Sequence, residues 1–290
     1  MSILANKNTR VLIQGITGTQ ASFHVKRSLE YSTKIVAGTS PLHGGEEHLG
    51  IPVFDNVHDA KRQFNIDASV MFVPARSVKN AVREAVEEEI PLIVSIAQGV
   101  PVHDMLEIRA MLRGSKTLMI GPNTPGLITP GETRLGIFPE NIHRKGCIGI
   151  VSRSSTLIYE AVLETDYAGL GQSTVVGLGD DMIIGTDFIE IIKRFMADDE
   201  TKAVVLIGKT DSTFEQIIAA YYANLEHKKP IIALVAGQTL PFGYTIGYAS
   251  DIITHGHITV ADKKEIMRKA GMIVVDKMSD VHKALQNLNL

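Results

Sequence analysis

The chain has 290 residues, 44% of them hydrophobic and 21% charged, with a formal net charge of −3. That balance suits a soluble globular protein of about two domains, and it excludes strong attraction to nucleic acid or to an anionic membrane. No apolar run approaches the roughly 18 residues a membrane helix needs, and Met1-Ser2-Ile3-Leu4-Ala5-Asn6-Lys7 lacks a signal-peptide core.

Residues 1–121 alternate short apolar runs with helix-like stretches. The runs are Val11–Gln14, Lys34–Ala37, Val70–Val73, Leu92–Ile96 and Leu118–Ile120. They are short and continuously apolar, as expected of strands buried on both faces. Between them, Val78, Ala81, Val82, Ala85 and Val86 share one helical face, and Ser77 is placed to cap that helix. Such alternation predicts a parallel, doubly wound α/β sheet. Residues 122–145 hold Pro122, Pro125, Pro130 and Pro139 and read as a linker that opens with a functional loop. Residues 146–290 alternate again, with strands at Ile148–Val151, Thr174–Gly177, Ala203–Ile207, Ile231–Val235 and Ile273–Val275. Cys147 is the single cysteine, so no intramolecular disulfide can form, and a reducing cytoplasmic setting fits.

Gly15-Ile16-Thr17-Gly18-Thr19-Gln20 follows the first strand and opens a helix. Glycine lets the backbone approach a phosphate, and a helix N-terminus offers N–H groups and the positive end of a dipole. Thr17 and Gln20 add side-chain hydrogen bonds. The spacing is not the dinucleotide G-x-G-x-x-G, and Val36-Ala37-Gly38-Thr39-Ser40 supplies no acid for a ribose hydroxyl. A nicotinamide dehydrogenase is disfavoured on both counts.

Several collinear motifs together resemble the α subunit of succinate–CoA ligase. They are the Gly15–Gln20 loop, Gly38–Gly45, His48–Phe54, Gly121–Gly126, Gly149–Ser154, Tyr159–Val162 and Gly171–Thr174. The resemblance implies a Rossmann-like CoA-binding domain followed by a flavodoxin-like ligase domain. It also implies an ATP-grasp β-type partner that carries ATP or GTP with Mg, and a small carboxylic acid as substrate. Gly15, Thr17, Gly18, Thr19, Gln20, His43, Ile96, Ala97 and Gln98 match the family's CoA site. Asn123 and Tyr159 match positions near the reacting acid, and Ser154 and Ser155 match the start of the helix that faces the phosphate.

The departures from the family gather where the chemistry occurs. Thr19 and His43 stand where the family has lysines, and Gln98 where it has a glutamate. Ser155 replaces a glycine. Lys209 replaces the glutamate that orients the phosphorylated histidine, and Tyr248 replaces that histidine. A phosphoramidate on imidazole passes its phosphoryl group readily to a carboxylate; a phenyl phosphate ester does not. A phenol with a pKa near ~10 is also a weak nucleophile at neutral pH. The chain is therefore expected to bypass the histidine relay, or else to be a non-catalytic paralogue that binds CoA or scaffolds a partner. His255 and His257 are the alternatives for a substitute nucleophile, a metal pair or a plain polar loop. Asp180 and Asp181 invite a magnesium reading, but adjacent acids at a turn read first as solvated.

Overall fold

The computed structural model describes residues 2–209, 213–237 and 259–290. These residues form two compact units, one of residues 2–141 with 176–186, the other of residues 142–175 with 187–290.

The first unit runs β1 (Val11–Gln14), α1 (Thr19–Glu30), β2 (Ile35–Thr39), β3 (Glu47–His48), β4 (Ile51–Phe54), α2 (Val57–Gln63), β5 (Ala68–Met71), α3 (Val78–Glu87), β6 (Leu92–Ser95), α4 (Val102–Arg113), β7 (Leu118–Ile120), β8 (Gly126–Thr129) and β9 (Thr133–Gly136). Its sheet has the order β3-β4-β2-β1-β5-β6-β7. β1 lies parallel to both β2 and β5, with Leu12 opposite Ala37 and Ile13 opposite Val70. Strand order therefore reverses between β1 and β5. At such a reversal the loops after the two strands turn to opposite sides and open a crevice at the carboxyl edge. All four residues of β1, β5 and β6 are buried, as their unbroken apolar runs require. α3 buries the expected Val78, Ala81, Val82 and Ala85. Ser77 does not cap it through its side chain, because a 3-10 turn at Ala75–Ser77 holds Ser77 in a helical conformation.

The proline-rich stretch after β7 holds an antiparallel hairpin. β8 and β9 pair Leu127 with Leu135 and Ile128 with Arg134. Arg134 is 2% exposed. Its guanidinium donates to the carbonyl of Phe138 at 2.6 Å, the carbonyl of His24 at 3.0 Å and Ser28 Oγ at 2.8 Å. The hairpin thereby fixes α1, whose N-terminus carries the Gly15–Gln20 loop.

A guanidinium nitrogen of Arg134 also lies 3.3 Å from His24 Nδ1. A guanidinium only donates, so Nδ1 must be the unprotonated nitrogen. Burial, and after it the nearby Arg134 charge, lower the His24 pKa. A histidine with a depressed folded pKa binds fewer protons folded than unfolded, so its contribution is complete above the unfolded value of about 6.5 and is lost as pH falls below it. His24→Gln is expected to flatten the acid side of the stability profile. Urea midpoints between pH 7.5 and 5 check this; equal slopes in the two proteins would disprove it.

The second unit runs β10 (Lys145–Ser152), α5 (Leu157–Tyr167), β11 (Gln172–Gly177), α6 (Phe188–Ala197), β12 (Ala203–Gly208), α7 (Phe214–Ala223), β13 (Ile231–Val235), α8 (Val260–Lys269), β14 (Ile273–Val275) and α9 (Val281–Gln286). The neighbours are β14-β13-β12-β10-β11. β10, β12, β13 and β14 are parallel, with Ile150 opposite Val205, Leu206 opposite Ala233 and Ala233 opposite Val274. Read in chain order within this unit, the strands stand 2-1-3-4-5, the flavodoxin-like arrangement, and the reversal falls between β10 and β12. Both units are thus open α/β sheets of the expected class.

Candidate functional site

The Gly15–Gln20 loop sits at the order reversal of the first sheet. Gly15 has φ +80°, and a Cβ there would lie 2.8 Å from the carbonyl oxygen of Phe72. Its N–H donates to the carbonyl of Thr39 at 2.8 Å, which draws the chain across the end of β2. Gly18 is the N-cap of α1 and no side chain caps the helix. The first-turn N–H groups have no intrahelical acceptor, and Gly18, Thr19 and Gln20 are exposed. A close-running backbone and an uncapped helix start on exposed residues fit a phosphate group.

Neighbouring loops brace this edge. Thr17 Oγ1 lies 2.7 Å from Ser40 Oγ, which ties the loops after β1 and β2. Ser22 Oγ and His48 Nε2 lie 2.8 Å apart, which ties α1 to β3. His43 Nδ1 lies 3.0 Å from Glu46 Oε2. Ile96, Ala97 and the exposed Gln98 follow β6 on the same edge. Asn123, in the loop after β7, is 9% exposed with φ +56°. Its N–H donates to the Ala97 carbonyl at 2.8 Å, its carbonyl accepts from the Asp180 N–H at 3.0 Å, and its amide donates to Asp181 Oδ1 at 3.0 Å. Asp180 and Asp181 hold the Asn123 loop, a role their sequence did not suggest.

In the second unit β10 and β12 are neighbouring parallel strands at the order reversal, so Arg153 and Lys209 follow adjacent strand ends. Arg153 is 3% exposed; its N–H reaches the Ile207 carbonyl at 3.4 Å, and its guanidinium carbon lies 5.7 Å from the centre of the Phe214 ring. Ser154 Oγ accepts the Leu157 N–H at 3.2 Å. The same oxygen lies 3.5 Å from Thr156 Oγ1, where either hydroxyl can donate. Ser155 and Tyr159 are half-buried at the start of α5. Lys209 comes directly after β12, and its N–H donates to Glu215 Oε1 at 3.0 Å. Glu215 and its partner Lys263 are the site-forming residues that the sequence hid. Nothing in a lone glutamate and a distant lysine announces a pair. Tyr248, His255 and His257 lie outside the described residues. Among the described residues no helix is long and apolar enough to cross a membrane.

Two family profiles match this arrangement: one described as a CoA binding domain over residues 6–99, the other as CoA-ligase over residues 151–274. The class is therefore a CoA-binding ligase, with each profile falling on one of the two α/β sheets. The chain is 42% identical over 285 residues to the succinate–CoA ligase [ADP-forming] subunit alpha of Staphylococcus aureus, covering 98% of this chain and 94% of that one. It is 47% identical over 271 residues to subunit alpha 2 of the corresponding Archaeoglobus fulgidus ligase, covering 93% and 94%. The chain belongs to the succinate–CoA ligase α-subunit family. Being α subunits, its relatives imply a partner subunit, and CoA is the family's substrate. Among solved structures, ATP citrate lyase of Methanosaeta concilii in complex with (3S)-citryl-CoA superimposes with a TM-score of 0.89 at 24% identity, covering 98% of this chain. The Methanothrix soehngenii ATP citrate lyase in complex with citrate and coenzyme A gives 0.88 at 24%. These matches carry the fold alone. The chain spans about half the length of those solved chains, 50% in each case.

Proposed function

We propose that this chain is the α-type subunit of a nucleotide-dependent acid–CoA ligase that works without a phosphohistidine relay. An ATP-grasp β-type partner would bind ATP or GTP with Mg. The acid carboxylate would attack the γ-phosphorus, releasing the nucleoside diphosphate and leaving an acyl phosphate. The CoA thiolate would then attack the carbonyl carbon, and the bond from that carbon to the bridging phosphate oxygen would break, releasing inorganic phosphate and leaving the thioester. Within this chain, Gly15, Thr17, Gly18, Thr19 and Gln20 hold the CoA phosphates, with His43, Ile96, Ala97 and Gln98 on the same edge. Asn123 lies at the entrance to the reacting carbonyl. Ser154, Ser155, Tyr159 and Lys209 hold the acid and its phosphoryl group. Succinate is the default acid, and the setting is cytoplasmic. Residues 1–121 form the CoA-binding domain and 146–290 the ligase domain, joined by 122–145.

The observation that carries this reading is a retained glycine loop in the first unit together with an altered acid site in the second. The Gly15 cradle and the uncapped α1 are present, while Lys209 and Tyr248 stand where the family has glutamate and histidine. A cation at 209 suits a carboxylate or phosphate that is held there without transfer to a histidine. The test is hydroxylamine trapping with a co-expressed β-type subunit, MgATP and a panel of acids. The expected result is a hydroxamate that depends on ATP and acid but not on CoA. No hydroxamate with any acid would count against it. The same two substitutions support a second reading, a CoA-binding or partner-scaffolding subunit with no turnover, which ATP-dependent thioester formation by the complex excludes.

A further inference from the structure

Two charges are buried together against the backbone of Lys209, directly after β12. Glu215, in the first turn of α7, and Lys263, in the first turn of α8, each expose 1% of their side chain, and the ammonium lies 3.0 Å from Oε2. By itself a buried ion pair is weak support for a fold, because desolvation offsets the attraction. This pair holds something more. Glu215 Oε1 accepts the N–H of Lys209 at 3.0 Å, and the Lys263 ammonium donates to the Lys209 carbonyl at 2.8 Å. Both backbone polar groups of Lys209 are therefore held by one ion pair. The fit is close: a Cβ on Gly208 would lie 2.3 Å from Glu215 Oε1. Lys263 is itself held firmly, because a capping box between Thr259 and Asp262 starts α8.

We propose that the Glu215–Lys263 pair is a positioning device that fixes the Lys209 peptide, so that the Lys209 side chain holds the anionic reactant where the second sheet reverses its order. Lys209 lies just beyond the last ladder bond of β12, where a loop would otherwise wander. Neither Glu215 nor Lys263 touches the reactant; each acts through the residue between them. The identity of the reactant rests on the acid–CoA ligase reading, whereas the clamp does not.

The test compares the full chain with Glu215→Gln and with the double variant Glu215→Leu/Lys263→Met. Amide exchange at Lys209, thermal midpoint and CoA affinity are read on the chain alone. Turnover with succinate, CoA and MgATP is read with the co-expressed partner. The double variant removes both charges together and leaves neither buried alone, so it is expected to stay folded. Its Lys209 amide is expected to exchange at least about tenfold faster, since a local bond is lost without global unfolding. Its kcat is expected to fall about 10- to 100-fold through misplacement, with CoA affinity unchanged. Glu215→Gln keeps an acceptor for the Lys209 N–H and is expected to keep most of the protection. Parent-like exchange at Lys209 in the folded double variant overturns the proposal, as does recovery of kcat together with the midpoint. If the parent complex shows no turnover, the ligase reading fails and exchange alone decides: faster exchange upholds the clamp, unchanged exchange overturns it.

Discussion

Gly15→Ala is expected to weaken CoA binding at least about a hundredfold while the chain stays folded. Position 15 has φ +80°, where an alanine costs about 1–2 kcal/mol of backbone strain. The new methyl would also meet the Phe72 carbonyl oxygen at 2.8 Å. That carbonyl cannot yield easily, because the Phe72 N–H is bonded to the Gln14 carbonyl at 2.9 Å and ties the start of the loop to β1. The loop must therefore lift away, carrying Gly18, Thr19 and Gln20 off the phosphate. Charge-assisted hydrogen bonds contribute about 1.5–3 kcal/mol each, and two of them lost give about two to four powers of ten in affinity. Gly169→Ala is the control. It carries comparable strain at φ +76° with open space around it, and it should leave CoA affinity intact. Calorimetric titration of CoA into both variants checks the pair. An affinity for Gly15→Ala within about threefold of the parent would mean that the loop does not cradle the ligand.

The second large effect is a gain. Tyr248→His combined with Lys209→Glu is expected to give a chain that takes phosphate from nucleotide at position 248, where the parent is expected to take none. Imidazole supplies the nucleophile that a largely protonated phenol does not. Where the family resemblance pairs the two positions, glutamate at 209 supplies an acceptor for the imidazole N–H, which sets the tautomer and the orientation of the ring. If position 209 orients position 248 as the family resemblance implies, Tyr248→His alone should label poorly, because a lysine at 209 offers the imidazole N–H no acceptor and leaves the ring's tautomer unset. Radiolabelled ATP or GTP with the partner subunit, and then acid and base lability of the label, reads the outcome. A silent double variant would place the decisive differences deeper than these two side chains. Label on the parent at Tyr248, consumed as fast as the enzyme turns over, would refute the bypass.

Much of the fold was written locally. Unbroken runs such as Val11–Gln14 and Leu92–Ser95 could only be strands with both faces covered, and the helical face of Val78, Ala81, Val82 and Ala85 lay where its spacing put it. The Gly15 loop was legible because glycine, a strand before it and a helix after it carry a local physical meaning. Ser77 misled, since its residue type suits a cap while the turn at Ala75–Ser77 holds its backbone in a helical conformation. The hairpin of β8 and β9 was obscured by prolines, which mark a break in regular structure but do not specify the next element. Its anchor, Arg134 on Ser28 and His24, spans 106 and 110 residues. The Glu215–Lys263 pair is separated by 48 residues, and each residue alone reads as an ordinary surface charge of an amphipathic helix.

Residue order alone gives the alternation of strands and helices, the glycine loop between β1 and α1 and the kinship with CoA ligases. Each of these depends on near neighbours along the chain: burial periodicity, glycine's freedom and the uncapped start of a helix. Only the tertiary structure decided which strands are neighbours, and so where each sheet reverses its order and opens its crevice. It alone decided that two charges far apart in sequence meet out of water on the backbone of Lys209, because desolvation and hydrogen-bond geometry are settled by what surrounds a group in space.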